Sequence, residues 1–336
     1  MQKTDTLILL TSKKIQFQIH NISGPAFENE MTMSQFILHH HDPSPYADKI
    51  RKLFAVKELD WLSVQVSMVM PRPDMTALTG GYRRIPTMQK GADIFCDTLL
   101  CAQIIEQLHP EPPLYTSGQM ANFAMQKLGD AMFRPGAALS LYENAEFLPE
   151  EVVNDRRAYF TFLDFDRFET DAPHFRSQFR AYARMIETQL GHGKNYLLGD
   201  ALEWADINAY FNIWMAGGNI PSSQNMFADM VKMKAWFARI EAIEDKGRQE
   251  ISAQDALEIA RQANPEMPLL GAHQPDESGI DIGTQVEVFA DDYGGDKVRG
   301  ELRHCNDQQI IIFREDTDLG EVAIHFPRLG FRIEKA

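Results

Sequence analysis

Residues 82–98 read YRRIPTMQKGADIFCDT, and they carry the punctuation of a strand, a hairpin and a helix in close succession. Proline is tolerated in a sheet only at an edge or at a strand's first position, so Ile85-Pro86 opens a strand. Lys90-Gly91-Ala92 turns the chain, Asp93-Ile94-Phe95 brings it back, and Asp97-Thr98 starts a helix that runs to about His109. If the Ile85-Pro86 bond is cis, the backbone N–H and C=O of Ile85 point out of the sheet, free to pair with an extended ligand as an added strand would. The helix start supplies unpaired N–H donors and the positive end of a dipole for a carboxylate. Such a site holds a peptide by its backbone and by a charged end group.

Working upstream, residues 35–40 read as a strand ending in HHHD, and a helix starts at Pro45 and runs to about Val56. A second strand covers residues 61–66, and PRPDMTALTGGYRR (71–84) is a loop with one helical turn. With QFILHHHDPSPYADKIRKLF (35–54) in front of the opening stretch, this order resembles the glutathione S-transferase superfamily, whose thioredoxin-like first domain reads βαβ-αββα. The resemblance implies that Ile85 and Pro86 form the loop that holds the cysteinyl part of glutathione. It implies that Asp97 and Thr98 hold the γ-glutamyl end, that Arg84 reaches the glycyl carboxylate and that Ser44 activates the thiol. No tyrosine stands at the end of the first strand, so the resemblance is to the bacterial-type serine or cysteine branch. It further implies glutathione as co-substrate, a small hydrophobic electrophile held by apolar side chains that include Tyr46, Met120 and Phe123, no metal, and a homodimer.

Composition agrees. The 336 residues suffice for two or three domains, and 44% hydrophobic content is that of an ordinary globular chain. A net charge of −15 argues against a nucleic acid or an anionic membrane as partner. Three cysteines, Cys96, Cys101 and Cys305, form no disulfide framework and no zinc spacing, which points to a reducing cytoplasm. No apolar run approaches the ~20 residues needed to span a bilayer.

Residues 1–34 precede the first strand without a clear period and are expected to be a disordered extension, with Met31 or Met33 an alternative start. Residues 35–112 form the expected thioredoxin-like, glutathione-binding domain, and 113–264 an α-helical domain. In the latter, Phe175, Phe179, Tyr182, Ile186 and Leu190 make a stripe of period 3.6, while Ile207, Tyr210, Phe211 and Trp214 mark a buried central helix. Ahead of that helix, Glu203 takes the cap position where relatives carry Ser or Thr, with Asp206 three residues on. Prolines and glycines over 265–280 mark a linker. Residues 281–336 then read as a small all-β, barrel-like domain with short strands at Val286 and Val288, at 310–313, at 322–324 and at 331–333. From Asp276 onward, fourteen acidic residues face seven basic ones, which suits partner docking or dimer contact better than RNA binding.

Ser44 before Pro45 is a common helix opening, and capping is its simplest role. A capping hydroxyl can also donate its proton to a nearby thiolate. Lowering a thiol pKa of about 8.5 by two units takes about 2.7 kcal/mol, within reach of one charge-assisted hydrogen bond and a helix dipole. His39-His40-His41-Asp42 resembles a metal cluster, but alternate strand residues face opposite ways and no fourth ligand is evident. Two functional classes stand at this point: a glutathione transferase-like enzyme, and a non-catalytic adaptor or ligand-binding protein of the same fold acting through protein contacts. A thiol oxidoreductase would need a cysteine at position 44.

Overall fold

The computed structural model describes residues 35–274 and 276–336; the expectation for 1–34 lies outside them. The first unit follows the expected order: β1 (Phe36–His40), α1 (Pro45–Val56), β2 (Trp61–Gln65), α2 (Pro73–Thr79), β3 (Thr87–Lys90), β4 (Asp93–Cys96) and α3 (Thr98–Leu108). Ser44 and Asp97 begin α1 and α3 as capping residues, accepting from the N–H groups of Ala47 at 3.2 Å and Leu99 at 2.8 Å. Strand β1 runs parallel to β2 and antiparallel to β3, and β3–β4 is the hairpin read from the sequence.

The helical unit contains α4 (Gln119–Asp130), α5 (Phe133–Glu143), α6 (Glu150–Tyr159), α7 (Phe168–Gln189), α8 (Trp204–Asn219), α9 (Ser223–Met226) and α10 (Val231–Glu241). The stripe on α7 and the buried face of α8 meet in one core, with Phe179, Ala183, Tyr210 and Ala216 at its centre. Asp206 accepts from the Glu203 backbone N–H at 3.1 Å, while the Glu203 carboxylate binds Thr116, Ser117 and Asn122 and so anchors the loop that enters α4.

Two features depart from the sequence reading. Residues 113–264 are not all helical: β5 (Arg248–Glu250) pairs in parallel with β2, and α11 (Ala253–Gln262) packs Ala256 against Ile37, Leu62 and Val64 of the first sheet. The C-terminal strands do not close a barrel. They are β6 (Gln285–Ala290), β7 (Val298–Cys305), β8 (Gln309–Asp316), β9 (Gly320–Pro327) and β10 (Phe331–Lys335), antiparallel to one another in the order β10-β6-β7-β8-β9. The free edge of β9 pairs with β4 instead of returning to β10, so one ten-stranded sheet runs from β10 to β5.

That seam is held by polar as well as apolar groups. His325 on β9 bonds the Asp93 carboxylate at 2.7 Å and Gln309 at 3.0 Å, and Asp93 also accepts from the N–H groups of Glu266 and Met267 in the linker. Buried charge is costly unless fully hydrogen-bonded, and here each buried group has partners. Leu78, Tyr82, Ile94 and Cys96 of the first unit share one core with the C-terminal strands.

Candidate functional site

The Ile85-Pro86 peptide is cis, and neither backbone polar group of Ile85 is taken up by a backbone hydrogen bond among the described residues. Beside it lies a pocket of about 250 Å³ lined by Tyr46, Arg84, Ile85, Pro86, Asp97 and Thr98, six of the residues named from the sequence. Gln126, Lys127 and Asp130 from α4 complete one wall. The opposite wall comes from the C-terminal strands through Asp291, Asp292, Tyr293 and Leu329–Phe331.

Acidity concentrates here. Burial raises the Asp97 carboxyl above its usual range, opposed by the Leu99 N–H bond and reinforced by Asp130. Lys49, fully buried over the Phe211 ring at 4.0 Å, bonds Asp130 at 3.3 Å, and its charge, with that of Arg84, favours the ionised form of Asp97. A carboxylate so placed suits an arriving ammonium.

A larger cavity of about 460 Å³ adjoins this pocket and shares Tyr46, Arg84, Ile85, Phe133 and Tyr293 with it. Ser44 lines this cavity at 6% exposure; its oxygen accepts the Ala47 N–H, which leaves its own proton to donate. The apolar wall comes from α5 and the segment after it, through Phe133, Ala137, Leu141, Phe147 and Leu148, with Met215 from α8.

Two expectations need correction, and Arg84, which lines the pocket, has a partner that the sequence did not show. Met120 is 81% exposed and lines neither cavity, because α4 turns Asn122, Gln126 and Gly129 toward the protein. Phe123 packs on Tyr115 against the first unit's core, so the pocket wall belongs to the next helix, α5. Arg84 is already engaged: it donates to both carboxylate oxygens of Asp292 and to the Tyr293 carbonyl, and its guanidinium lies 4.2 Å from the Tyr293 ring. Burial works against its charge, but the Asp292 bond holds its pKa above the ordinary value.

The other candidates are structural. His39 and His40 leave β1 on opposite faces, bonding Gln89 at 2.7 Å and Ser63 at 3.0 Å. Burial lowers them to about 4 and about 3. Among the described residues no group of three or more His, Cys, Asp or Glu stands ready to hold a metal. Cys96, Cys101 and Cys305 are buried, line neither cavity, and have thiols pushed up by burial, Cys305 to about 12. Among the described residues no helix is long and apolar enough to cross a membrane.

Sequence reasoning missed Asp130, Lys49 and the 291–293 loop. Lys49 and Asp130 lie 81 positions apart, and Arg84 and Asp292 lie 208 apart, so nothing local joins them.

A thioredoxin-like unit with a cis-proline loop, followed by a helical unit, defines a class of two-domain proteins. Residues 38–113 match the model of the glutathione S-transferase N-terminal domain, and residues 149–244 that of the glutathione S-transferase C-terminal domain. A GST-like protein from Pseudomonas syringae is 32% identical, with a TM-score of 0.74 over 90% of this chain and 100% of that one. The chain therefore belongs to the glutathione S-transferase family. That coverage is wider than the two matched segments together. A glutathione S-transferase from Rhodospirillum rubrum is 21% identical (TM-score 0.47, 62% of this chain and 88% of that one). One from Methylobacterium radiotolerans, in complex with glutathione sulfonate, is 20% identical (TM-score 0.47, 63% and 92%). No curated protein sequence matches significantly.

Proposed function

We propose that this chain binds glutathione in the smaller pocket and ionises its thiol for attack on a small electrophile in the larger cavity. One observation carries the reading: Ile85, the cis Pro86, Asp97 and Thr98 line one pocket, and it shares five lining residues with the cavity that holds Ser44. The Ile85 N–H and C=O pair with the cysteinyl backbone, as an added strand would. Asp97, with Asp130 behind it, takes the γ-glutamyl ammonium, and Thr98 donates to the adjoining carboxylate at the α3 start. Ser44 donates a hydrogen bond to the sulfur and favours the thiolate, whose proton passes to water; the sulfur then bonds to the electrophilic carbon as a leaving group such as halide departs with its bonding pair. Burial, with Asp130 nearby, holds the Tyr46 hydroxyl in its neutral form.

A second reading, a ligand-binding or adaptor role without turnover, draws support from the 291–293 loop, which walls the pocket and engages Arg84. Calorimetric titration with glutathione and with S-hexylglutathione, alongside turnover of a chromogenic aryl halide, tests both readings. Binding with turnover is expected. Binding without turnover favours the adaptor, and absence of binding to either compound removes both roles for the pocket.

A further inference from the structure

The larger cavity is sorted by charge in a way that glutathione activation does not require. Its lining includes Arg72, Arg83, Arg84 and Arg156 and no Asp or Glu, in a chain whose net charge is −15. The neutralising carboxylates stand behind the wall and are too few. Asp155 serves both Arg83, at 2.9 and 3.0 Å, and Arg156; Asp292 serves Arg84.

Arg72 has no carboxylate partner among the described residues. It is 6% exposed, and its two terminal nitrogens donate to the carbonyls of Arg83 at 2.7 Å and Met68 at 3.1 Å. Its Nε is buried without a partner, as is Nδ1 of His41 on the same lining. A buried guanidinium beside two others and with no carboxylate in contact is costly unless an anion arrives. Burial, with Arg156 and Arg83 nearby and Asp155 opposing them, lowers Arg72 to about 10, so it stays charged at neutral pH. Phe133, Leu141, Phe147, Leu148, Val152 and Met215 give the lining an apolar stretch, beside the polar Ser140, Asn144 and Asn219.

We propose that the larger cavity binds an amphipathic carboxylate, its head group at the cluster of Arg72, Arg83 and Arg156, and its apolar body along the α5 wall. Arg72 brings positive charge to the lining with no carboxylate in contact, and a carboxylate head group supplies the missing counter-charge. The volume suits a drug-sized molecule. In the reading above, this is the class of the second substrate, and its body passes close to Ser44. The anion site itself rests on Arg72 and does not depend on glutathione.

The test is calorimetric titration of the full chain with octanoate, octanamide, octylamine and octyl phosphate, with and without saturating glutathione. Octanoate is expected to bind at least about tenfold more tightly than octanamide, and octylamine not at all. Arg72→Met keeps the apolar stem and is expected to abolish the octanoate preference while leaving glutathione affinity within about twofold. Arg72→Lys is expected to restore part of the preference, which separates charge from packing should the methionine variant fail to fold. Equal binding of octanoate and octanamide by the wild type overturns the proposal. So does a tenfold preference for octyl phosphate over octanoate, or a preference that survives Arg72→Met. Mutual exclusion of octanoate and glutathione overturns it as well, because the arginines then belong to the glycyl end of glutathione. If glutathione fails to bind while octanoate is preferred, only the transferase reading falls; if glutathione binds and the head-group preference is absent, only this one does.

Discussion

The two adjoining cavities share five residues and carry opposite charge. The smaller is lined by Asp97, Asp130, Asp291 and Asp292 against Arg84 and Lys127; the larger has four arginines and no carboxylate. Charges of one sign are expensive to gather on a partly buried wall, and the cost is recovered only when a ligand of the other sign arrives. In the readings proposed above, the contrast sorts two ligands: the ammonium of the first toward α3 and α4, and the carboxylate of the second toward α2 and α6. Both cavities also depend on Tyr293, which packs on Phe133, Phe160 and Phe162 and belongs to the C-terminal strands. Gly294 beside it has φ +79 and no room for a Cβ, which would lie 2.5 Å from the Tyr159 ring.

The largest expected effect comes from removing that shared wall. A chain ending before residue 276 exposes Leu78, Tyr82, Ile94 and Cys96 and leaves the β4 edge unpaired. At about 1.5–3 kcal/mol per buried side chain, the loss is roughly 6–12 kcal/mol, comparable with the whole stability of a domain. We expect no cooperative unfolding transition and no glutathione binding. A soluble truncated chain with a sharp thermal transition would make the C-terminal strands a separable module and the contrast between the cavities accidental.

Asp97→Ala probes the acidic side alone. Loss of a partly buried ion pair is expected to weaken glutathione binding by about 2 kcal/mol, or roughly thirtyfold. The same carboxylate sets a pH dependence. Its pKa in the free protein is raised, and an arriving ammonium favours the ionised form, so affinity is full above the raised value and falls as pH drops through it. Calorimetry across that range with wild type and Asp97→Asn checks the sign; a wild-type profile that the variant reproduces assigns the proton elsewhere.

Ser44→Ala comes next. Removing the cap costs about 1 kcal/mol of stability. The more informative readout is the bound thiol, whose pKa should rise, seen as loss of thiolate absorbance near neutral pH, with kcat reduced more than glutathione affinity. A thiol that titrates as in wild type would leave Ser44 a cap and nothing else.

The smallest effect is expected at the junction of the two cavities. Asp292 is about half exposed, and an exposed pair contributes about 1 kcal/mol or less. Asp292→Asn should free Arg84 and tighten glutathione binding by at most about fivefold. Unchanged affinity would leave Arg84 a strut between loop 291–293 and the first unit, with no part in holding the ligand.

Much of this was legible in the chain because the signals are local. Pro86, the Gly91 turn and the capping pair Ser44 and Asp97 each act within a few residues, and the helix stripes on α7 and α8 repeat within one element. Two short elements escaped. Arg248–Glu250 has no alternation to mark a strand, and Ala253–Gln262 follows it so closely that it reads as one more helix of the bundle. Met120 and Phe123 were apolar residues at plausible places, but which face a helix turns inward depends on its neighbour.

By itself the sequence determined the order of elements through α3, a proline-led strand beside an acid-capped helix, and the family those features imply. The tertiary structure alone decided that β9 would pair with β4, that Asp292 would take Arg84, and that four arginines would line one wall without a carboxylate. The reason is range. Backbone sterics and capping act between neighbours along the chain, whereas the pairing of a strand edge and the balance of charge in a cavity are set by groups more than 200 residues apart, such as His325 and Asp93.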